Sequence, residues 1–276
     1  MKARLQFADP IASSREELRR QFQSIIGQEK ATAVGEGEAL HDLRVALRRL
    51  RILLRALGEP LEHTRAAALE RRWQYFADEL GPLRDADVWR ALLRELSSAL
   101  PAFRQRVTTR LRQERAHPVE VLLGVTWPRL KRDTQQLLAK PLPAALATAG
   151  RRAVEKALRR AWEQASTRAA KLAREGHLAE IEPAHKLRIA CRRARYLAEF
   201  FATAVKGENN VLAWQRIASD YRALQNALGQ THDADMLLEF LHDARLRPPT
   251  NLTTALRSRR NRGIAQFKTA WKKLAG

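Results

Sequence analysis

Leucine and alanine recur every three or four residues through most of the chain, which is the spacing that gives an α-helix one apolar face. Strand-like alternation of apolar and polar residues is absent. This pattern predicts an all-α chain with four helices in each half, and the short connections between them predict antiparallel bundles. In the first half the predicted helices cover about 12–34, 39–57, 61–80 and 85–138, with breaks at Pro101 and Pro118. In the second half they cover about 150–175, 183–204, 209–228 and 233–274, with a break at Arg247-Pro248-Pro249.

One segment of the chain occurs twice. HDLRVALRRLRILLRAL begins at His41, and HKLRIACRRARYLAEFF begins at His185, 144 residues later. The two share eight identical residues, five of them His or Arg, and each is followed by a second shared segment, LGPLRDAD in the first copy and LGQTHDAD in the second. We therefore predict two halves, 1–142 and 143–276, which meet in the proline-containing stretch at Lys140–Gly150.

The repeated segment carries two separate stripes when it is drawn as a helix at about 100° per residue. The apolar stripe contains Leu43, Leu47, Leu50, Leu54 and Leu57 in the first copy and Leu187, Cys191, Ala194, Ala198 and Phe201 in the second. The basic stripe contains His41, Arg44, Arg48, Arg51 and Arg55 in the first copy and His185, Arg188, Arg192 and Arg195 in the second. Glu199 stands where the second copy would have a fifth cation. Cations at this spacing repel one another. A stripe about 21 Å long is a track for an extended polyanion rather than a pocket for one phosphate.

The charge of the whole chain agrees with such a partner. Lys and Arg number 51 against 30 Asp and Glu, which gives a formal charge of +21 and an isoelectric point near 11.2. A compact protein with this charge repels itself, and a polyanionic partner is the usual reason for it. The single cysteine, Cys191, excludes a disulfide framework. The first residues contain no apolar stretch long enough for a signal peptide, and no apolar run is long enough to span a membrane, so we expect a cytoplasmic protein that does not bind membranes.

The LG-x-x-x-DAD segment permits two interpretations. In the first, Gly81 and Gly229 follow helix ends, and Asp85 or Asp233 caps the start of the next helix. In the second, the acidic side chains hold the motif cations in place, and His232 adds to the basic surface. The supporting residues in that interpretation are Asp85, Asp87, His232, Asp233 and Asp235.

Two copies of H-x-L-R-x-A-x-R-R-x-R, each followed by LG-x-x-x-DAD, resemble the CHAD family, the conserved histidine α-helical domain. The resemblance implies two pseudo-symmetric antiparallel four-helix bundles packed together around a basic groove or pore. It also implies binding of inorganic polyphosphate and association with polyphosphate granules. The binding residues implied are His41, Arg44, Arg48, Arg49, Arg51, Arg55, His185, Lys186, Arg188, Arg192, Arg193 and Arg195. Of these, Arg49 and Arg193 lie off the main stripe on the helical wheel.

Two other functions remain open at this point. The same charge would support nonspecific nucleic-acid binding, weak and confined to low salt, although the basic stripes lack interleaved aromatic residues on which bases stack. A phosphohydrolase would need metal-binding carboxylates near the two motif histidines, and only the aspartates of the DAD segments offer them. No second His or Cys lies one helical turn from either motif histidine. We therefore expect a binding protein without a cofactor, a metal or catalytic activity. The sequence leaves the oligomeric state open.

Overall fold

The computed structural model describes residues 5–58, 63–96, 101–113, 124, 126–139 and 149–275. In these ranges the chain forms α1 (Pro10–Gly27), α2 (Glu29–Ala33), α3 (Gly37–Ala56), α4 (His63–Glu79), α5 (Gly81–Leu96), α6 (Pro101–Gln113), α7 (Thr126–Ala139), α8 (Ala149–Glu175), α9 (Ile181–Ala204), α10 (Glu208–Asp243) and α11 (Thr250–Ala275). The described residues contain no β-strand, and the β pairing found among them is one isolated bridge between Phe7 and Val205. The prediction of an all-α chain is confirmed.

The first predicted helix is divided in the structure. Pro10 occupies its first turn, and the Asp9 side chain caps it by accepting hydrogen bonds from the backbone N–H groups of Ile11 and Ala12. α1 then ends at Gly27, and the prediction of one helix over 12–34 is wrong. A glycine costs a helix about 1 kcal/mol relative to alanine, which favours a break at this point.

The LG-x-x-x-DAD segments fit the predicted helix ends only in the first copy, where Gly81 follows the end of α4 at Glu79. Gly81 begins α5, Gly229 lies inside α10, and Asp85 and Asp233 are in helix interiors rather than at N-caps. α10 continues through Gly229 because side chains on both sides of it are buried in the core, namely Leu224, Leu228, Ala234 and Leu237. Packing outweighs the low helix propensity of the glycine. The break predicted at Arg247-Pro248-Pro249 is found, between α10 and α11.

The chain forms two compact units, each built from three segments. The first unit contains Met1–Gly81, His117–Gln164 and Arg195–Ala218, and the second contains Pro82–Ala116, Ala165–Ala194 and Ser219–Gly276. The predicted boundary between the repeated halves, at 142 and 143, lies outside the described residues, as does Pro118. That boundary stays a prediction.

The first unit is organised around α3. This helix packs against α1, α2 and α4, and α7 packs against α1 and α4. Three fully buried rings, Trp73, Phe76 and Trp127, lie with their centroids 4.9 to 5.9 Å apart. The Trp73 indole N–H donates to Thr134 Oγ1 at 3.1 Å, so the buried polar group of the ring is satisfied.

The second unit has a core shared by α5, α6, α10 and α11. Leu93, Val107, Leu237 and Leu252, one from each helix, are fully buried in it. α11 approaches α10 closely at Gly263, where a Cβ atom would lie 2.7 Å from the Ala227 carbonyl oxygen. The lack of a side chain at Gly263 therefore sets the separation of these two helices.

Candidate functional site

The apolar stripes of the two motif helices are buried, as predicted. Leu43, Leu47, Leu50, Leu54 and Leu57 of the first copy are 0 to 2% exposed, and Leu187, Cys191, Ala194, Ala198 and Phe201 of the second are 0% exposed. Burial of these faces fixes the rotation of each helix and turns the basic stripe toward the edge of the packed face. The side chains of His41, Arg44, Arg48, Arg188 and Arg192 are accordingly half-buried.

Arg44 is positioned by the end of a neighbouring helix in the first unit. Its Nη1 donates to the Ala77 carbonyl oxygen, in the last turn of α4, at 3.1 Å. A cation is favoured at the C-terminal end of a helix, where carbonyl groups lack helical partners. Gly81 lies beside the same guanidinium, because a Cβ atom there would be 4.0 Å from Nη1. The LG segment thus borders the first basic stripe.

The far end of the first stripe is partly neutralised by a carboxylate. Glu70 of α4 accepts from Arg51 Nε at 3.2 Å and from Arg55 Nη2 at 2.7 Å. The side chains of Glu70 and Arg51 are 8% and 18% exposed, so their ion pair is largely shielded from solvent, whereas Arg55 is 43% exposed. Burial lowers the pKa of Arg51, and Glu70 opposes that effect.

A second carboxylate joins two further motif arginines, also in the first unit. Glu199 accepts from Arg49 Nη2 and from Arg195 Nε, each at 2.8 Å. Both guanidinium carbons lie 5.3 Å from the ring centroid of Tyr196, within the range of cation–π attraction. In the sequence Glu199 stands out only as a missing cation, and its pairing with Arg49 is visible only in the structure.

The beginning of the second stripe forms a compact cluster in the second unit. The rings of His185 on α9 and His232 on α10 have centroids 5.2 Å apart. Burial, Arg188 and Arg192 lower the pKa of His185, and Glu182 opposes them. Burial, Arg188, His185 and Arg192 lower the pKa of His232 to about 3. The structure thus places His232 with the motif cations, as the second interpretation of the DAD segment expects.

The remaining predicted residues lie in different surroundings. Lys186 is exposed and pairs with Glu182 one turn earlier at 3.1 Å, and Arg193 is exposed. Asp87 pairs with Arg90 at 2.8 Å, and Asp235 pairs with Arg260 of α11 at 2.6 Å.

Asp233 lies in the electrostatic field of a motif arginine. Burial raises the pKa of Asp233, whereas Arg188 has the largest opposing effect, and Asp85 is close enough to raise that pKa further. Among the described residues no group of three His, Cys, Asp or Glu side chains is arranged to hold a metal ion. None of the described helices is long and apolar enough to cross a membrane.

Comparisons with known proteins identify a family and two solved structures of similar fold. A search of curated proteins finds no match. Among solved structures, the chain is similar to the CHAD domain from the plant Ricinus communis, with 22% identity and a TM-score of 0.64 over 97% of this chain and 90% of that one. It is also similar to PptA from Streptomyces chartreusis, with 17% identity and a TM-score of 0.69 over 95% of this chain and 98% of that one. The family model of the CHAD domain matches residues 16–242, which is most of the sequence, and the chain therefore belongs to the CHAD domain family.

Proposed function

We propose that this protein binds inorganic polyphosphate through the half-buried cations at the start of its two motif helices. The observation that carries the proposal is the cluster of His185, His232, Arg188 and Arg192 in the second unit. Four groups that donate hydrogen bonds or carry positive charge lie together, and burial, followed by repulsion from the neighbouring charges, lowers the pKa of both histidines. A polyanion lying on the cluster would remove this repulsion.

The chemistry of the cluster fits phosphate oxygens. Guanidinium groups bind them through two parallel N–H donors, and these charge-assisted hydrogen bonds are stronger than neutral ones. A neutral imidazole still offers one N–H donor. In the first unit, His41, Arg44 and Arg48 lie on α3 over seven residues, or about 10 Å of helix. That length would accommodate several consecutive phosphates of an extended chain.

The proposal includes binding without turnover. A CHAD protein of this kind would act in the cytoplasm, at polyphosphate granules, as a receptor for the polymer. Its affinity would fall steeply with salt, because each phosphate contact releases counterions from the polymer.

A comparison of three polyanions tests this function. Long-chain polyphosphate, single-stranded RNA and duplex DNA with matched numbers of phosphates are titrated at about 0.15 M salt, and phosphate release is followed with and without Mg²⁺. We expect the tightest binding to polyphosphate and no phosphate release. Equal or tighter binding of a nucleic acid would favour the nucleic-acid function instead, and metal-dependent phosphate release would make the protein an enzyme.

The histidines predict that affinity depends on pH. Because burial and, to a lesser extent, cationic neighbours lower the pKa of His185 and His232, both are neutral in the free protein near pH 7. Bound phosphates favour the protonated forms and raise both pKa values, so the complex takes up protons and affinity increases as the pH falls. Titrations from about pH 8 to about pH 5.5 should show tighter binding at the acidic end.

The double variant H185Q/H232Q provides the control for this prediction. Glutamine keeps hydrogen-bond donors at both positions but does not titrate. Its affinity should change much less over the same pH range. A variant with the same pH dependence as the unmodified protein would show that other groups take up the protons.

A further inference from the structure

The predicted cations of the first unit divide into two groups. Arg49, Arg51, Arg55 and Arg195 donate to two carboxylates, Glu70 and Glu199, so these six side chains carry a combined charge of about +2 rather than +4. The second group, His41, Arg44 and Arg48, lies at the start of α3. The two groups therefore differ in that two acids compensate part of the charge of the first.

Glu199 holds its two arginines through both of its oxygens. Oε2 accepts from Arg49 and Oε1 accepts from Arg195. The side chains are 16% exposed for Glu199, 15% for Arg195 and 30% for Arg49, so water screens these pairs only partly. The Tyr196 ring, itself buried, contacts both guanidinium groups and restricts them further.

A phosphate that bound Arg49 or Arg195 would remove one hydrogen-bond partner from the partly buried Glu199 carboxylate. Breaking a shielded ion pair is unfavourable, because the remaining charge loses its compensation. The phosphate would also lie close to the same carboxylate and be repelled by it. Both effects disfavour phosphate binding at Arg49 or Arg195.

The internal repeat indicates that this neutralisation is a shared feature. Arg51 and Arg195 occupy the same position of the repeated segment, and both are ion-paired. The carboxylate comes from α4 in the first copy and from α9 itself in the second. In both copies an acid pairs with the arginine at this position, but the acid comes from a different helix in each.

A cavity of about 190 Å³ lies against Glu199 in the first unit. Arg20, Arg49 and Thr203 contribute donors to its lining, and Glu17 and Glu199 contribute carboxylates. All three donors are engaged, Arg20 with Glu17, Arg49 with Glu199 and Thr203 with the Phe200 carbonyl oxygen, and the two acids would repel a phosphate. Neutralising Glu199 would release Arg49 at this cavity and remove one of the two repelling charges.

We propose that Glu199 is a specificity-determining residue that ends the polyphosphate-binding surface of the first unit, by holding Arg49 and Arg195 away from the ligand. This inference rests on the proposed function. It limits the ligand-contacting cations of the unit to His41, Arg44 and Arg48, and it assigns Arg49, Arg51, Arg55 and Arg195 to the scaffold.

Neutralising Glu199 tests the inference. In the E199Q variant we expect polyphosphate to bind roughly threefold to tenfold more tightly, with a steeper dependence on salt that corresponds to about one additional phosphate contact. The control is E16Q, which changes the net charge equally at an exposed residue of α1. Titrations of a polyphosphate of one defined length over a range of salt concentrations give both quantities.

The outcomes separate this inference from the proposed function. If the unmodified protein fails to bind polyphosphate, the function is wrong and the inference falls with it. If the unmodified protein binds and E199Q behaves like E16Q, only the inference is wrong. If E199Q folds poorly, the single variants R48Q and R49Q are compared instead. R48Q should weaken polyphosphate binding more than R49Q does. Equal losses of affinity would overturn the inference.

Discussion

Replacing Arg44, Arg48, Arg188 and Arg192 together by alanine should abolish polyphosphate binding and leave the helix content unchanged. These four arginines lie half-buried on the basic stripes of the two motif helices. A hydrogen bond to a charged group contributes about 1.5–3 kcal/mol, so losing four should weaken binding by more than about a thousandfold. Titration of long-chain polyphosphate measures the affinity, and far-ultraviolet circular dichroism measures the helix content.

A second quadruple variant distinguishes direct contact with the polymer from attraction by the overall charge of the protein. Arg71, Arg112, Arg152 and Arg257 are exposed and lie outside both stripes. Alanine at these four positions lowers the formal charge of +21 by the same amount. Its affinity should fall only modestly, through the weaker long-range attraction. Equal losses in both variants would mean that net charge, rather than the motif helices, binds the polymer.

The Gly263→Ala substitution should destabilise the protein by about 2 kcal/mol. The added Cβ atom would lie 2.5 Å from Thr231 Oγ1 and 2.7 Å from the Ala227 carbonyl oxygen, so α10 and α11 would have to move apart. Alanine favours a helix over glycine by about 1 kcal/mol, but a contact this short with backbone atoms outweighs that gain. Denaturant unfolding measures the change, which corresponds to a fall of about 5 °C in the melting temperature.

Gly229 provides the matched control for this substitution. It lies in α10 between the two residues that Gly263 contacts, and a Cβ atom there would meet nothing within 4 Å. The Gly229→Ala variant should therefore be more stable by about 0.5–1 kcal/mol. Destabilisation by Gly229→Ala, or none by Gly263→Ala, would contradict the packing of α10 against α11.

The buried faces of α3 and α9 could be predicted because they depend on spacing alone. Leu43, Leu47 and Leu50 recur at the helical period, and such a stripe is buried whichever helices cover it. The start of α3 was predicted to within two residues for the same reason. The spacing of apolar residues within one helix is therefore enough to predict its buried face and its approximate start.

Features that depend on neighbouring helices could not be predicted. Glu70 is one acid among several on α4, and only the packing of α3 on α4 shows that it holds Arg51 and Arg55. The continuation of α10 through Gly229 likewise depends on burial of the residues around it. His232 lies far along the chain from His185, and their proximity follows from the packing of α10 against α9 within the second unit.

A crystal structure of the protein with a polyphosphate of defined length tests the central claim most directly. We predict phosphate oxygens within about 3 Å of His185, Arg188, Arg192 and His232, and of Arg44 and Arg48, with Arg51 and Arg55 still bound to Glu70. Phosphates bound instead along the exposed cations of α11, with the motif side chains unchanged, would contradict it.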